Sequence, residues 1–345
     1  DDLPLGHVVL GALAAAATCG LLWSVRRRPV ALFGLVWFCL ALAPASQVMP
    51  HHLQRGDRFL YLPLIGLVAA AATALVRARP LVGGRPAVLA SVAAGLGLLL
   101  LLTNLSVTQV RHWRDEVTLW EHCAFVEPNN PRAHGYLAGA YERAGQAGRA
   151  EASYRKAIRL SPNTVWVLNN YAIFLTSDDA PRLEDHRLAV ELADRGCRLT
   201  EWRDPDVTHT LARAHTALAN THAAAGRFSL AVEHYYKALE AHPEYDMPLF
   251  NLAMLLSTCR DESLRDPAKA VQLAEQGRGL ADTLDAHRLS ILATVYGEAG
   301  RFEEAVGAMR EAIEAARANG DANELARLRG YLRRLENRVP LTAPP

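Results

Sequence analysis

The chain has 345 residues, enough for roughly two domains, and 37 basic against 36 acidic side chains leave a net charge of +1. That balance excludes a nucleic-acid binder, which needs a basic surplus to neutralise phosphates. The hydrophobic share of 50% and the mean hydropathy of +0.02 average two unlike halves. Before about Thr108 the chain is rich in Leu, Ala, Val and Gly; after it, charged residues recur at helical spacing.

Four apolar runs come first, Gly6–Val25, Val30–Ser46, Phe59–Val76 and Ala87–Thr108. Each falls within the roughly 17–25 residues of a membrane-crossing helix. Arg26, Arg27 and Arg28 separate the first two runs, and Arg77, Arg79 and Arg85 separate the last two. The positive-inside rule puts both connectors in the cytoplasm. It then expects an integral membrane protein with the Gln47–Arg58 loop and everything after the fourth span on the non-cytoplasmic side. The first run comes after two aspartates and ends in arginines, the reverse of a signal peptide. The chain opens at Asp1 rather than Met and reads as processed or as a piece of a longer protein. In the loop, Arg55, Asp57 and Arg58 lie where a lipid phosphate would sit, which also makes membrane lipids an expected partner.

Residues 110–128, with the run WRDEVTLWEHCAFVEP, read as a junction helix. Trp113 and Trp120, seven residues apart, are expected on one face, packed on the first repeat or anchored at a membrane interface. From Pro131 the pattern changes. Leu137, Ala138 and Tyr141 mark one helix, Gly145 a turn, Ala150, Tyr154, Ala157 and Ile158 a second helix, and Pro162 a stop. Pro128 and Pro162 are 34 residues apart, the tetratricopeptide (TPR) period. Leu218, Ala219, Gly226, Ala231, Tyr235, Ala238 and Pro243 repeat the pattern, as do Leu292, Ala293, Tyr296, Gly300, Ala305 and Ala312. Two longer units with widened turns lie between them; Asn170 and Asn251, Ala172 and Ala253, and Ala189 and Ala270 are each 81 residues apart. A long-plus-standard pair has therefore been duplicated.

The expected fold is all-α: a transmembrane bundle of about four spans over residues 1–109, the junction helix, five TPR repeats over 129–320, a capping helix over 321–339 and a loose tail over 340–345. Leu325, Leu328, Leu332 and Leu335 form the stripe of the cap. A solenoid offers a groove for protein or peptide segments. Asn170 and Asn251 hold equivalent positions on their first helices; they either bracket a peptide backbone there or satisfy local turns. No catalytic constellation is legible. Cys19, Cys39, Cys123, Cys197 and Cys259 lack metal or disulfide spacing; the histidines are dispersed and read as surface residues, with His215 and His222 sharing a face but lacking a carboxylate for a metal; no metal or cofactor is expected for the repeats.

The runs DRFLYLP (Asp57 to Pro63), WRDEVTLW (Trp113 to Trp120) and PNNPRAH at the entry to the first repeat resemble the transmembrane and TPR-repeat-containing O-mannosyltransferase-like proteins and their bacterial relatives. The resemblance implies the C-terminal part of a membrane glycosyltransferase of the GT-C type, using a polyprenyl-phosphate-linked sugar as donor and a protein hydroxyl as acceptor. It implies contacts to the carrier phosphate from Arg55, Arg58 and Tyr61, with the solenoid presenting the acceptor. The family's catalytic acids, in its first outer loop, have no counterpart in this chain. The alternative is a membrane-tethered TPR scaffold without chemistry, assembling cell-envelope complexes.

Overall fold

The computed structural model describes residues 26–42, 85–177, 183–281, 283–319 and 322–342, with isolated positions between 20 and 68. Every regular element among them is a helix. The chain divides into two units, Asp1–Gln109 and Val110–Pro345.

In the first unit, α1 is Pro29–Leu42, and α2, which starts there, is Arg85–Arg111. Ala31 and Leu35 of α1 are buried. Gly66 lies against this helix so closely that a Cβ would come 2.3 Å from the Gly34 carbonyl oxygen, which leaves room only for glycine. The expected transmembrane bundle is overturned: among the described residues no helix is long and apolar enough to cross a membrane. α1 covers 14 residues, which rise roughly 21 Å against a hydrocarbon core of about 30 Å, and residues 43–46 of the span expected at Val30–Ser46 lie outside the described residues. In α2, 27 residues long, the stretch from Thr103 to Arg111 mixes Leu105, Val107 and Val110 with Asn104, Ser106, Thr108 and Gln109. The spans expected at Gly6–Val25 and Phe59–Val76 lie almost wholly outside the described residues. With the bundle falls the integral-membrane localisation. A count of apolar residues along the sequence does not establish a helix that is both long and apolar enough.

The second unit is a run of helix hairpins. α3 (Glu116–Val126) comes first, its N-terminus capped by Asp115, whose carboxylate accepts from Thr118 N at 2.8 Å. Trp113 precedes that cap and is exposed, so it does not share the face of Trp120. Five pairs come next: α4 (Pro131–Arg143) with α5 (Ala147–Leu160), α6 (Val165–Leu175) with α7 (Leu183–Leu199), α8 (Pro205–Ala224) with α9 (Phe228–Ala241), α10 (Asp246–Thr258) with α11 (Pro267–Leu280), and α12 (Ala286–Glu298) with α13 (Phe302–Asn319). α14 (Ala322–Glu336) packs on α13.

Small residues set the helix spacing. Ala138, Ala150, Ala157, Ala172, Ala189, Ala219, Ala231, Ala238, Ala253, Ala270, Ala305 and Ala312 are wholly buried. A methyl at each contact lets two backbones approach, and Tyr154, Tyr171, Tyr235 and Tyr296 fill the space left beside them. Tyr154 stacks on Tyr171 at 5.2 Å between centroids while its hydroxyl donates to Glu142 Oε2 at 2.9 Å. Such a ring is buried without orphaning its oxygen.

The short turns share one device. Gly226 has φ +71°, and Arg227 N donates back to His222 O at 2.9 Å, closing the end of α8 as a Schellman turn. Gly145 and Gly300 stand in the same left-handed conformation. The wide turn after α10 closes differently. The Arg265 guanidinium donates twice to the Cys259 carbonyl, at 3.1 and 2.8 Å, and Asp266 then caps α11. At the end of the stack, Leu328 and Leu335 of α14 are fully buried, and Leu335 sits where a Cβ on Gly297 would be.

Candidate functional site: a groove along the first helices

The first helices of successive pairs lie side by side, α6 on α8, α8 on α10 and α10 on α12. α8, α10 and α12 each turn one stripe at i, i+3/i+4, i+7 spacing toward the groove, which is one face of a helix. On α8 the stripe is Arg213, Thr216, Ala217, Asn220 and Ala224; on α10 it is Met247, Asn251, Met254 and Thr258; on α12 it is His287, Ser290, Ile291 and Thr294. Two open cavities, ≈ 450 Å³ and ≈ 510 Å³, run along these stripes and share Asn220, Met247 and Asn251 as common wall. Thr176, Ser177 and His186 extend the first cavity, and Arg327 and Tyr331 of α14 close the second.

The shared wall is built around one amide. Tyr235 Oη donates to Asn220 Oδ1 at 2.5 Å, and Asn251 Nδ2 donates to the same oxygen at 3.2 Å. Asn220 thus has both its carbonyl lone pairs engaged and keeps its amide N–H groups for a ligand. Asn251 keeps its carbonyl oxygen and one N–H. Together they offer donors and an acceptor at one point of the groove, the set a peptide bond matches. Burial holds the Tyr235 hydroxyl well above its usual pKa, so it remains a donor.

His186 is fixed beside this wall. Thr221 Oγ1 donates to the Ala217 carbonyl at 3.1 Å, so it accepts from His186 Nδ1 at 2.8 Å, which sets the Nδ1–H tautomer. Burial lowers the pKa of His186.

Behind the groove, between α8 and α9, lies a cluster of which the sequence showed only the shared face of His215 and His222. His215 Nδ1 is 3.1 Å from His234 Nδ1, and His222 stacks on His234 at 5.4 Å between centroids. His222 is buried, and its Nδ1 has no hydrogen-bond partner among the described residues. Desolvation depresses all three, His215 to about 4, with Arg187, Arg227 and Lys237 adding repulsion and Glu233 opposing them. The sequence reading of surface histidines fails here, because two helices must pack before the rings meet. Among the described residues no group of three or more His, Cys, Asp or Glu side chains is arranged to hold a metal ion.

Of the two expected groove asparagines, Asn251 lines both cavities, while Asn170 is exposed on α6 and lines neither. The sequence missed Asn220, Arg213 and Arg327. Asn220 sits three residues beyond Ala217, the residue that takes the Asn251 place in its own repeat, so equivalence by position did not find it. Helical spacing from Arg213 would have. Arg55, Arg58 and Tyr61 lie outside the described residues. The entry of the solenoid carries an aromatic ladder, Trp120 on Tyr136 at 4.5 Å and Tyr136 on Trp166 at 4.9 Å. The Trp166 ring takes the space of an absent Cβ on Gly135.

Consecutive helix hairpins, each burying its face only against its neighbours, define an α-solenoid. Three stretches of it, residues 131–164, 212–245 and 286–319, match the Tetratricopeptide repeat family. Similar solved structures include PilW, a widely conserved type IV pilus biogenesis factor, 21% identical over 66% of this chain and 96% of that one, with a TM-score of 0.43. PilF of Pseudomonas aeruginosa is 16% identical over 66% of this chain and 95% of that one, with a TM-score of 0.47. YrrB, a TPR protein with an unusual peptide-binding site, is 14% identical over 61% and 97%, with a TM-score of 0.40. No curated protein matches the chain. The matches concern the repeats, and none of them supports the O-mannosyltransferase resemblance.

Proposed function

We propose that this protein is a docking scaffold whose TPR groove takes an extended segment of a partner protein along α8, α10 and α12. The observation that carries this reading is the shared wall, where Asn220 and Asn251 pair through one oxygen and leave donors and an acceptor facing two continuous cavities. Backbone amides supply the affinity of such a site, and the flanking cavities select side chains. Random linear peptides displayed against the intact chain test it. Binding of the selected peptides is expected to fall about tenfold or more with Asn220→Ala plus Asn251→Ala, and with Ala217→Trp, which fills the groove floor. Peptides that bind all three proteins equally would place recognition elsewhere.

The resemblance carried by the DRFLYLP and WRDEVTLW runs refines the reading. In it the captured segment is the hydroxyl-bearing acceptor of a sugar carried on polyprenyl phosphate, with Arg55, Arg58 and Tyr61 meeting the carrier. Under it, Arg58→Ala in the full-length protein lowers sugar transfer while peptide capture persists. Transfer at the wild-type level removes that loop from the role.

A further inference from the structure

The groove has a charge as well as a shape. Among the described residues no Asp or Glu lines either cavity, yet each contains a guanidinium, Arg213 in the first and Arg327 in the second. The ring of His186 adds to the first and that of His287 to the second. This sign is local, since the whole chain carries only +1.

Arg213 is the sharper of the two. It is partly buried on α8 and has no carboxylate within ion-pair distance among the described residues. Other partly buried arginines of the solenoid are answered. Arg288 grips Asp246 at 2.6 Å and also Asp285, and Arg301 lies between Glu275 and Glu304. A guanidinium drawn out of water without a counter-charge is unfavourable, and a carboxylate meeting its planar fork relieves it. Arg327, at the far end, forms an ion pair with Glu324 at 3.8 Å that is too long for a hydrogen bond, and more than half of its side chain stays exposed, so its N–H donors remain available to a second carboxylate.

We infer that the partner segment taken by this groove is acidic, with one carboxylate side chain meeting Arg213, a second meeting Arg327, and an uncharged stretch passing the Asn220–Asn251 wall. The inference rests on the groove being the docking site. Basic segments are rejected by the same two cations, so the charge selects as well as attracts.

The test continues the peptide selection on the intact chain, near physiological salt. Selected peptides are expected to carry Asp and Glu well in excess of Lys and Arg. They are then made with amidated C-termini, so that every carboxylate belongs to a side chain, and titrated by fluorescence anisotropy. Replacing the acidic residues by Gln should weaken binding about tenfold per contact, and raising the salt should do the same progressively. Arg213→Gln and Arg327→Gln should each reproduce that loss for the acidic peptide and leave the Gln peptide unaffected, with unaltered circular dichroism. Selected peptides that are neutral or basic, or that bind equally with Gln for Glu, overturn the inference. If such neutral peptides are lost with Ala217→Trp, the groove stands and only its charge preference falls. Acidic peptides that bind Ala217→Trp undiminished sit outside the groove and overturn both readings, as does a selection that enriches no peptide.

Discussion

Acid should loosen the third hairpin first, and the size of the effect comes from the His215–His234 contact. Two Nδ1 atoms 3.1 Å apart share a single proton, one ring donating and the other accepting. A second proton would set two N–H donors against each other, in a site already facing Arg187 from α7, Arg227 from the turn and Lys237 from α9. Of the groups around it only Glu233 is acidic, and it is bound to Lys237 at 2.6 Å. The pKa of His215 is lowered from 6.5 to about 4. A depressed histidine contributes stability that is present above its unfolded pKa of 6.5 and is lost as pH falls from there toward about 4. Between pH 7 and pH 5 the unfolded chain takes up a proton that the folded one resists, which costs about 2 kcal/mol from His215 alone. His222, His234 and His186 shift in the same direction and add to the loss. For a unit of this length a 2 kcal/mol loss lowers the melting temperature by about 4–8 °C. Thermal melts followed by far-UV circular dichroism at the two pH values measure it, and hydrogen exchange locates it in α8 and α9. His215→Gln, which cannot titrate, should remove most of the difference. An equal pH dependence in that variant, or a wild-type melt that does not move, would refute the reasoning.

Two further outcomes come from the packing. Gly226→Ala forces a side chain into φ +71°, although a Cβ there meets nothing within 4 Å. The cost is therefore backbone strain alone, about 1–2 kcal/mol, and a denaturant titration should show Asn at the same position losing less. Arg288→Ala abolishes a two-pronged grip on Asp246, at 2.6 and 3.2 Å, that ties the start of α12 to the start of α10. It leaves a largely buried carboxylate unpaired and should cost about 2–4 kcal/mol by chemical denaturation. The double variant with Asp246→Ala should recover part of that loss.

How much of the fold and the groove is legible in the sequence depends on how far apart the interacting residues are. The small residues at Ala138, Ala150 and Ala157 and the turn at Gly145 are local rules, read within one repeat, and each reappears in the structure as written. The hydropathy of the first hundred residues is equally plain, but among the described residues it does not yield a helix long and apolar enough to cross a membrane. The equivalence of Asn170 and Asn251 holds along the sequence and breaks in space. Asn251 reaches a neighbour on α8 that completes the wall, while Asn170 stands exposed on a helix whose stripe ends outside both cavities.

The sequence by itself determined that residues from about Pro131 onward fold as TPR hairpins. Period, glycine turns and alanine contacts act between residues close along the chain, so they can be read in order. Only the tertiary structure decided where the groove's chemistry lies. Asn220 with Asn251, Arg213 with Arg327 and His215 with His234 each join different helices. Their proximity is set by the packing of one hairpin on the next, which no single repeat encodes.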